Sequence, residues 1–133
     1  DWHLACAAAG CRIETELRAA PPRSGPLLRL SVEAADARTL LVRTPLPLFL
    51  PDGLRITPRE TEPVAVPWIT CGAVSCEARV PLDPAFLAAL RKQPAAHLEL
   101  TLRDGARARL PVSLIGFTAA YRALGSDAGA ISP

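Results

Sequence analysis

The chain has 133 residues, half of them hydrophobic, and a formal net charge of +2. That length suits one domain with a real core, and the composition excludes a largely disordered chain. The small charge, scattered arginines and only six aromatic residues exclude a basic nucleic-acid-binding stripe. No apolar run approaches the roughly 20 residues of a membrane-spanning helix.

From the N-terminus, Trp2, Leu4 and Cys6 alternate on one face. The turn over 7–10 returns the chain through Cys11, Ile13, Thr15 and Leu17, predicting a cysteine-closed hairpin. The chain opens at Asp1 without methionine or an apolar leader, as a mature or trimmed chain does. Pro21, Pro22, Gly25 and Pro26 form a loop. Leu28, Leu30 and Val32 mark the next strand, and Leu40 and Val42 the one after Asp36.

The segment from Pro45 to Gly53 is apolar but rich in proline. Proline cannot donate to a β-ladder, so the segment reads as an edge or a crossing loop. Leu48 and Phe49 either form an exposed binding ridge or cap the open end of the core, with capping the commoner outcome. Leu54 and Ile56 follow the Asp52-Gly53 turn, and a polar connection with Glu60 and Glu62 runs from Pro58 to Pro63. Next, Val64, Val66 and Trp68 alternate, as do Cys76, Ala78, Val80 and Leu82. This predicts a strand pair joined by a tight turn between Cys71 and Cys76.

Asp83-Pro84 is a strong helix start, with aspartate as N-cap and proline at the first helical position. Arg91 and Lys92 stand at the C-terminal end, and Pro94 stops the helix. The run from Leu98 to Leu114 gives a register by parity. Its apolar residues all carry even numbers, so opposed residues must sum to an even number. That excludes a two-residue loop and requires Arg103-Asp104-Gly105, with Gly105 in a left-handed G1 bulge. Glu99 then opposes Arg109 and Thr101 opposes Arg107, leaving Arg103, Arg107 and Arg109 as a local basic patch. Such clusters are more often solvated strand faces than specific anion sites. Phe117, Ala120, Tyr121 and Leu124 have helical spacing, Gly125 suits the helix end, and 126–133 reads as a flexible tail.

The four cysteines repeat one C-x4-C spacing. Local pairing of Cys6 with Cys11 and of Cys71 with Cys76 is preferred, and implies an oxidising compartment. The competing readings are a four-thiolate zinc site, to which the spacing fits marginally, and redox chemistry, which prefers C-x-x-C. His3 and His97 are the only histidines, and neither adjoins a nucleophile in a recognisable setting. No glycine loop cradles phosphate, and Glu60/Glu62 read as solvated loop carboxylates. No catalytic, cofactor or metal residue is singled out, and the chain is read as a non-enzyme.

With these pieces placed, the sequence resembles the invasion-associated locus B family of bacterial exported proteins. Its marks are Trp2 with Cys6 and Cys11, Pro45-Leu46 with Leu50 and Gly53, and the pattern Trp68, Cys71, Cys76, Ala78. Gly116-Phe117 with Ala120 and Leu124 completes them. Pro47 and Ser75 stand where such proteins commonly carry glycine. The resemblance implies an exported β-sandwich domain, in some pathogens linked to host-cell invasion, with no established enzymatic activity.

The expected fold class is therefore mainly β: a single antiparallel sandwich, immunoglobulin-like, over 1–125, with two short helices near Pro84–Lys92 and Phe117–Leu124. The expected role is a periplasmic or secreted interaction module without cofactors. It would meet an envelope or host-surface protein through Arg103, Arg107 and Arg109 or through Leu48 and Phe49. The alternative is a small extracytoplasmic hydrolase or ligand-binding domain whose site is assembled from distant residues.

Overall fold

Period-two alternation buries one face of each strand, and two such faces meet in this protein. The computed structural model describes residues 1–19, 25–58 and 63–131. Its strands are β1 (His3–Ala7), β2 (Gly10–Arg18), β3 (Pro26–Glu33), β4 (Asp36–Thr44), β5 (Leu54–Pro58), β6 (Val64–Val66), β7 (Trp68–Cys71), β8 (Cys76–Pro81), β9 (Ala95–Thr101) and β10 (Arg107–Ser113). The helices are α1 (Pro84–Lys92) and α2 (Phe117–Ile131). A six-stranded sheet runs β1-β2-β3-β4-β8-β7 and a four-stranded sheet runs β10-β9-β5-β6, every pairing antiparallel. The fold is mainly β and sandwich-like, as expected from the sequence.

The core is the sum of the inward positions. Ile13, Leu30, Val32, Leu40, Val42, Ala78 and Val80 of the larger sheet face Leu54, Ile56, Leu98 and Leu100 of the smaller one, all buried. Register places like beside like: Leu40 opposes Val80, and Ile56 opposes Leu98. Burying such side chains contributes about 1.5–3 kcal/mol each, which makes the alternating face the main determinant of register.

The hairpin of β9 and β10 has the register required by parity, with Arg107 opposite Thr101, Ala108 opposite Leu100 and Arg109 opposite Glu99. Gly105 has φ 89°, and its N–H donates to the Leu102 carbonyl at 2.8 Å. A side chain would strain that conformation.

The cysteines form the two local disulfides, Cys6–Cys11 and Cys71–Cys76, and each pair is directly opposed across its hairpin. Loops this short give about 2 kcal/mol of chain-entropy stabilisation each, so the bridges chiefly fix local geometry.

Three local expectations are corrected. First, Val64, Val66 and Trp68 do not share a strand. Pro67 lacks an N–H for a ladder, and the chain changes sheet there: β6 pairs with β5, while β7 pairs with β8. Trp68 is consequently half-buried on an edge strand rather than central. Second, the apolar alternation of Trp2, Leu4 and Cys6 is covered only at Trp2. Leu4 is 38% exposed because β1 is an edge strand. Third, α2 continues through Gly125 to Ile131. Mid-helix glycine costs only about 1 kcal/mol relative to alanine, so Gly125 need not end a helix with no proline before Pro133. Helical backbone thus extends past Leu124 to Ile131, and 132–133 lie outside the described residues. The expected loop at Pro21-Pro22 and the Glu60/Glu62 connection also lie outside them.

The chain ends are joined through aromatic contacts. Phe117 is fully buried. Its ring meets Trp2 edge-on at 5.0 Å between centroids and stacks on Tyr121 at 5.6 Å. Trp2 Nε1 donates to the Ser113 carbonyl at 2.9 Å, and the Tyr121 hydroxyl donates to the Ala37 carbonyl at 2.7 Å.

The two tryptophans differ in a testable way. Trp68 Nε1 is buried without a hydrogen-bond partner among the described residues. Trp2→Phe should destabilise by about 1–3 kcal/mol, because it leaves the Ser113 carbonyl unpaired. Trp68→Phe removes an unsatisfied donor and should cost less. Urea unfolding of both variants checks the order.

Candidate interaction surface

An exposed apolar region is built by the segment that carries the chain between sheets after β4, where Phe49 and Leu50 stand exposed. Thr44 is fully buried at the end of β4. Its hydroxyl donates to the Leu27 carbonyl at 2.8 Å and accepts from the Leu46 N–H at 3.2 Å. Both polar capacities are used, and the exit direction of the crossing is thereby fixed. Further on, the Phe49 N–H donates to the Thr101 carbonyl at 2.8 Å, and the Arg103 N–H donates to the Pro47 carbonyl at 3.0 Å. Leu48 forms an isolated bridge with Leu102. The proline-rich segment is therefore a crossing strapped to the tip of the β9–β10 hairpin. A 3-10 turn over Leu50–Asp52 completes it.

Gly53 ends that turn at φ 66°, where a Cβ would stand 2.7 Å from the Val66 carbonyl oxygen. Only glycine permits this approach, which brings the crossing down onto β6.

Leu48 and Phe49 part company in this arrangement. Leu48 is 8% exposed and belongs to the core, while Phe49 is 43% and Leu50 47% exposed. A two-residue ridge is thus half cap and half surface, because neighbouring residues on an extended segment point to opposite sides. Facing the crossing is the cystine turn between β7 and β8, closed by the Gly72 N–H donating to the Ser75 carbonyl at 2.8 Å. Val74 at its tip is 79% exposed. Between crossing and turn lies an open groove lined by Leu48, Leu50, Val74, the disulfide and Arg103.

The three arginines do not act as one patch. Arg103 borders this groove, whereas Arg107 lines a separate shallow cleft with Asp52, Arg55 and Glu99. Arg109 Nε lies 3.9 Å from Glu99 Oε1. Arg55 opposes Glu99 from the other side, so Glu99 has a cation on each neighbouring strand. Arg55 was missed because the pairing of β5 with β9 is non-local.

Sequence reading also left unmarked the outer face of the six-stranded sheet. There Glu77 accepts from Arg43 at 2.8 Å and Arg79 at 3.4 Å. Glu16 accepts from Arg18 at 2.9 Å and Arg29 at 3.2 Å, and Arg29 also reaches toward Glu14 at 3.8 Å. The alternation of Arg12, Glu14, Glu16 and Arg18 carries the pairs within β2, while Arg29 reaches these glutamates from β3. The hydrogen bond from Arg43 holds Glu77 below the usual carboxylate range against the opposing effect of burial. At Glu16, burial raises the carboxyl pKa, but the hydrogen bonds and charges of Arg18 and Arg29 outweigh it and lower the pKa. These carboxylates are held ionised, the opposite of a general acid. The histidines lie on different sheets, His3 on β1 and His97 on β9.

Because the folded pKa of each carboxylate lies below its ordinary value of 4.5, its stabilisation is complete above that pH. It is lost as pH falls through the folded value. Glu77→Gln should lower stability at neutral pH and reduce the loss seen on acidification below about pH 4.5. Thermal melts at neutral pH and at pH 3 compare the two proteins.

A search of curated proteins finds no match. Among solved structures, the chain is similar to the crystal structure of invasion associated protein B from Bartonella henselae, with 20% identity and a TM-score of 0.81. That likeness covers 94% of this chain and 92% of the other, and concerns the fold. The model of the family described as Invasion associated locus B (IalB) protein matches residues 2–125. The match spans both disulfides, both sheets and the Trp2–Phe117 contact, and the chain accordingly belongs to the invasion-associated locus B family.

Proposed function

We propose that this protein is an exported interaction module of the bacterial envelope, acting in the periplasm or outside the cell and linked to host-cell invasion. It binds a partner protein through the groove between the crossing segment and the cystine turn. The carrying observation is the exposure of Leu50 and Val74 on facing walls of one groove, each wall fastened by backbone hydrogen bonds. Rigid apolar side chains lose little freedom on binding, which is where interface affinity is gained. Arg103 at the rim supplies orientation and attraction to an acidic partner residue.

The disulfides support the compartment, because each needs an oxidising environment to persist. The link to invasion rests on the family to which the chain belongs.

The test compares capture of envelope and host-surface proteins by the oxidised wild-type chain and by folded variants. Leu50→Asp and Val74→Asp lie on exposed side chains and should change stability by less than about 0.5 kcal/mol, yet abolish capture. Arg103→Glu should weaken capture and flatten its salt dependence, while Arg109→Glu should leave it unchanged. Equal capture by all four variants overturns this assignment of the surface.

A further inference from the structure

At the opposite end of the sandwich lies a second concavity of different character. Thr44 opposes Cys76 at the groove end of β4 and β8, and Thr39 opposes Pro81 at the other. The length of β8 thus separates the two regions by roughly 17 Å. The far cleft lies between α1, α2 and the ends of these strands, with a volume of about 630 Å³.

Each wall is fixed by an identifiable interaction. The Leu82 N–H donates to the Arg38 carbonyl at 2.7 Å, which ties the start of β4 to the chain entering α1. Asp83 caps α1 by accepting from the Phe86 N–H at 2.8 Å, so its carboxylate is engaged by the helix. Tyr121 is held at both ends, by stacking on Phe117 and by its hydroxyl bond to Ala37. The Arg91 guanidinium lies 5.6 Å from the Tyr121 ring centroid, a cation–π contact that keeps it at the cleft.

The chemistry of the lining is two-sided. Pro81, Leu82 and Leu87 give an apolar floor beside the Tyr121 ring. Arg38 and Arg91 border it, both exposed, and neither forms an ion pair among the described residues. This contrasts with the arginines of the six-stranded face, where Arg12, Arg18, Arg29, Arg43 and Arg79 all have glutamate partners. Among the described residues, the only carboxylate lining the cleft is Asp83.

We propose that this cleft binds a small amphipathic carboxylate, its apolar body on Leu82, Leu87 and Tyr121 and its carboxylate between Arg38 and Arg91. Arginine forks match a carboxylate in geometry and charge. An apolar floor with a few convergent polar groups is the usual make-up of a small-molecule site. The site is independent of the groove at the other end, so the failure of either assignment leaves the other standing.

The experiment is an amide NMR titration of the intact oxidised protein with octanoate, using octylammonium and octanol as matched apolar controls. The expected result is saturable shifts confined to residues around Arg38, Leu82, Leu87 and Tyr121, with both controls at least about tenfold weaker. Arg38→Gln and Arg91→Gln should each weaken octanoate binding about tenfold while retaining the wild-type spectrum elsewhere. Arg103→Gln, at the opposite end, should not change it. Absence of shifts, shifts centred outside the cleft, or equal binding of octylammonium overturns the proposal. If either arginine variant alters the global spectrum, Arg38→Lys and Arg91→Lys replace it, and undiminished octanoate binding by both lysine variants would overturn the bidentate placement of the carboxylate.

Discussion

The contact on which the rest of this sandwich depends is the burial of Phe117 between Trp2 and Tyr121. A sandwich of two sheets has open ends, and apolar residues there must be covered or be lost to water. Phe117 covers one end by drawing the first strand and the last helix onto the same core. The hydrogen bonds of Trp2 and Tyr121 then convert non-directional burial into a defined orientation. Because Tyr121 is fixed in this way, it can serve as a wall of the cleft beside α1.

The other end is covered differently. There the proline-rich crossing is laid over the hairpin tip and fastened by backbone hydrogen bonds. Proline lowers the number of backbone donors to be satisfied and narrows the unfolded ensemble. Thr44 and Gly53 mark where this crossing begins and ends, one by hydrogen bonding and one by lacking a side chain. The consequence is a surface whose exposed apolar side chains stand on backbone that is already ordered. Such exposure is tolerable in small areas and useful to a binding module.

Charge is distributed in keeping with this division. The broad outer face of the six-stranded sheet pairs Arg12, Arg18 and Arg79 with glutamates on their own strands and Arg29 and Arg43 with glutamates on neighbouring ones, which leaves it polar. Individual exposed pairs of this kind contribute about 0–1 kcal/mol, so their effect is on solubility and on edge behaviour more than on stability. Among the described residues, Arg103 at one end and Arg38 and Arg91 at the other border concavities and form no ion pair. The geometry thus separates cations that serve the scaffold from cations left available.

The sequence by itself determined the elements whose causes are local. Alternation gave the strands, Asp83-Pro84 gave the start of α1, the spacing of cysteines gave the bridges, and parity with Gly105 gave the β9–β10 register. Marks spread from Trp2 to Leu124 also carried the family resemblance, and with it the fold. Tertiary structure decided what depends on residues far apart in the chain. Pro67 reads as one interruption in an alternating run, yet it is where the backbone leaves one sheet for the other, because only partner strands decide which sheet receives β6 and β7. Leu48 and Phe49 look alike in sequence and are separated by which side of the crossing meets Leu102. Arg103, Arg107 and Arg109 are close in the chain but border different concavities, while Arg38 and Arg91 are distant and border the same one. The physical reason is common to all of these: local patterns fix which face of an element is apolar, but the position of a charge or an exposed side chain depends on which other elements cover it.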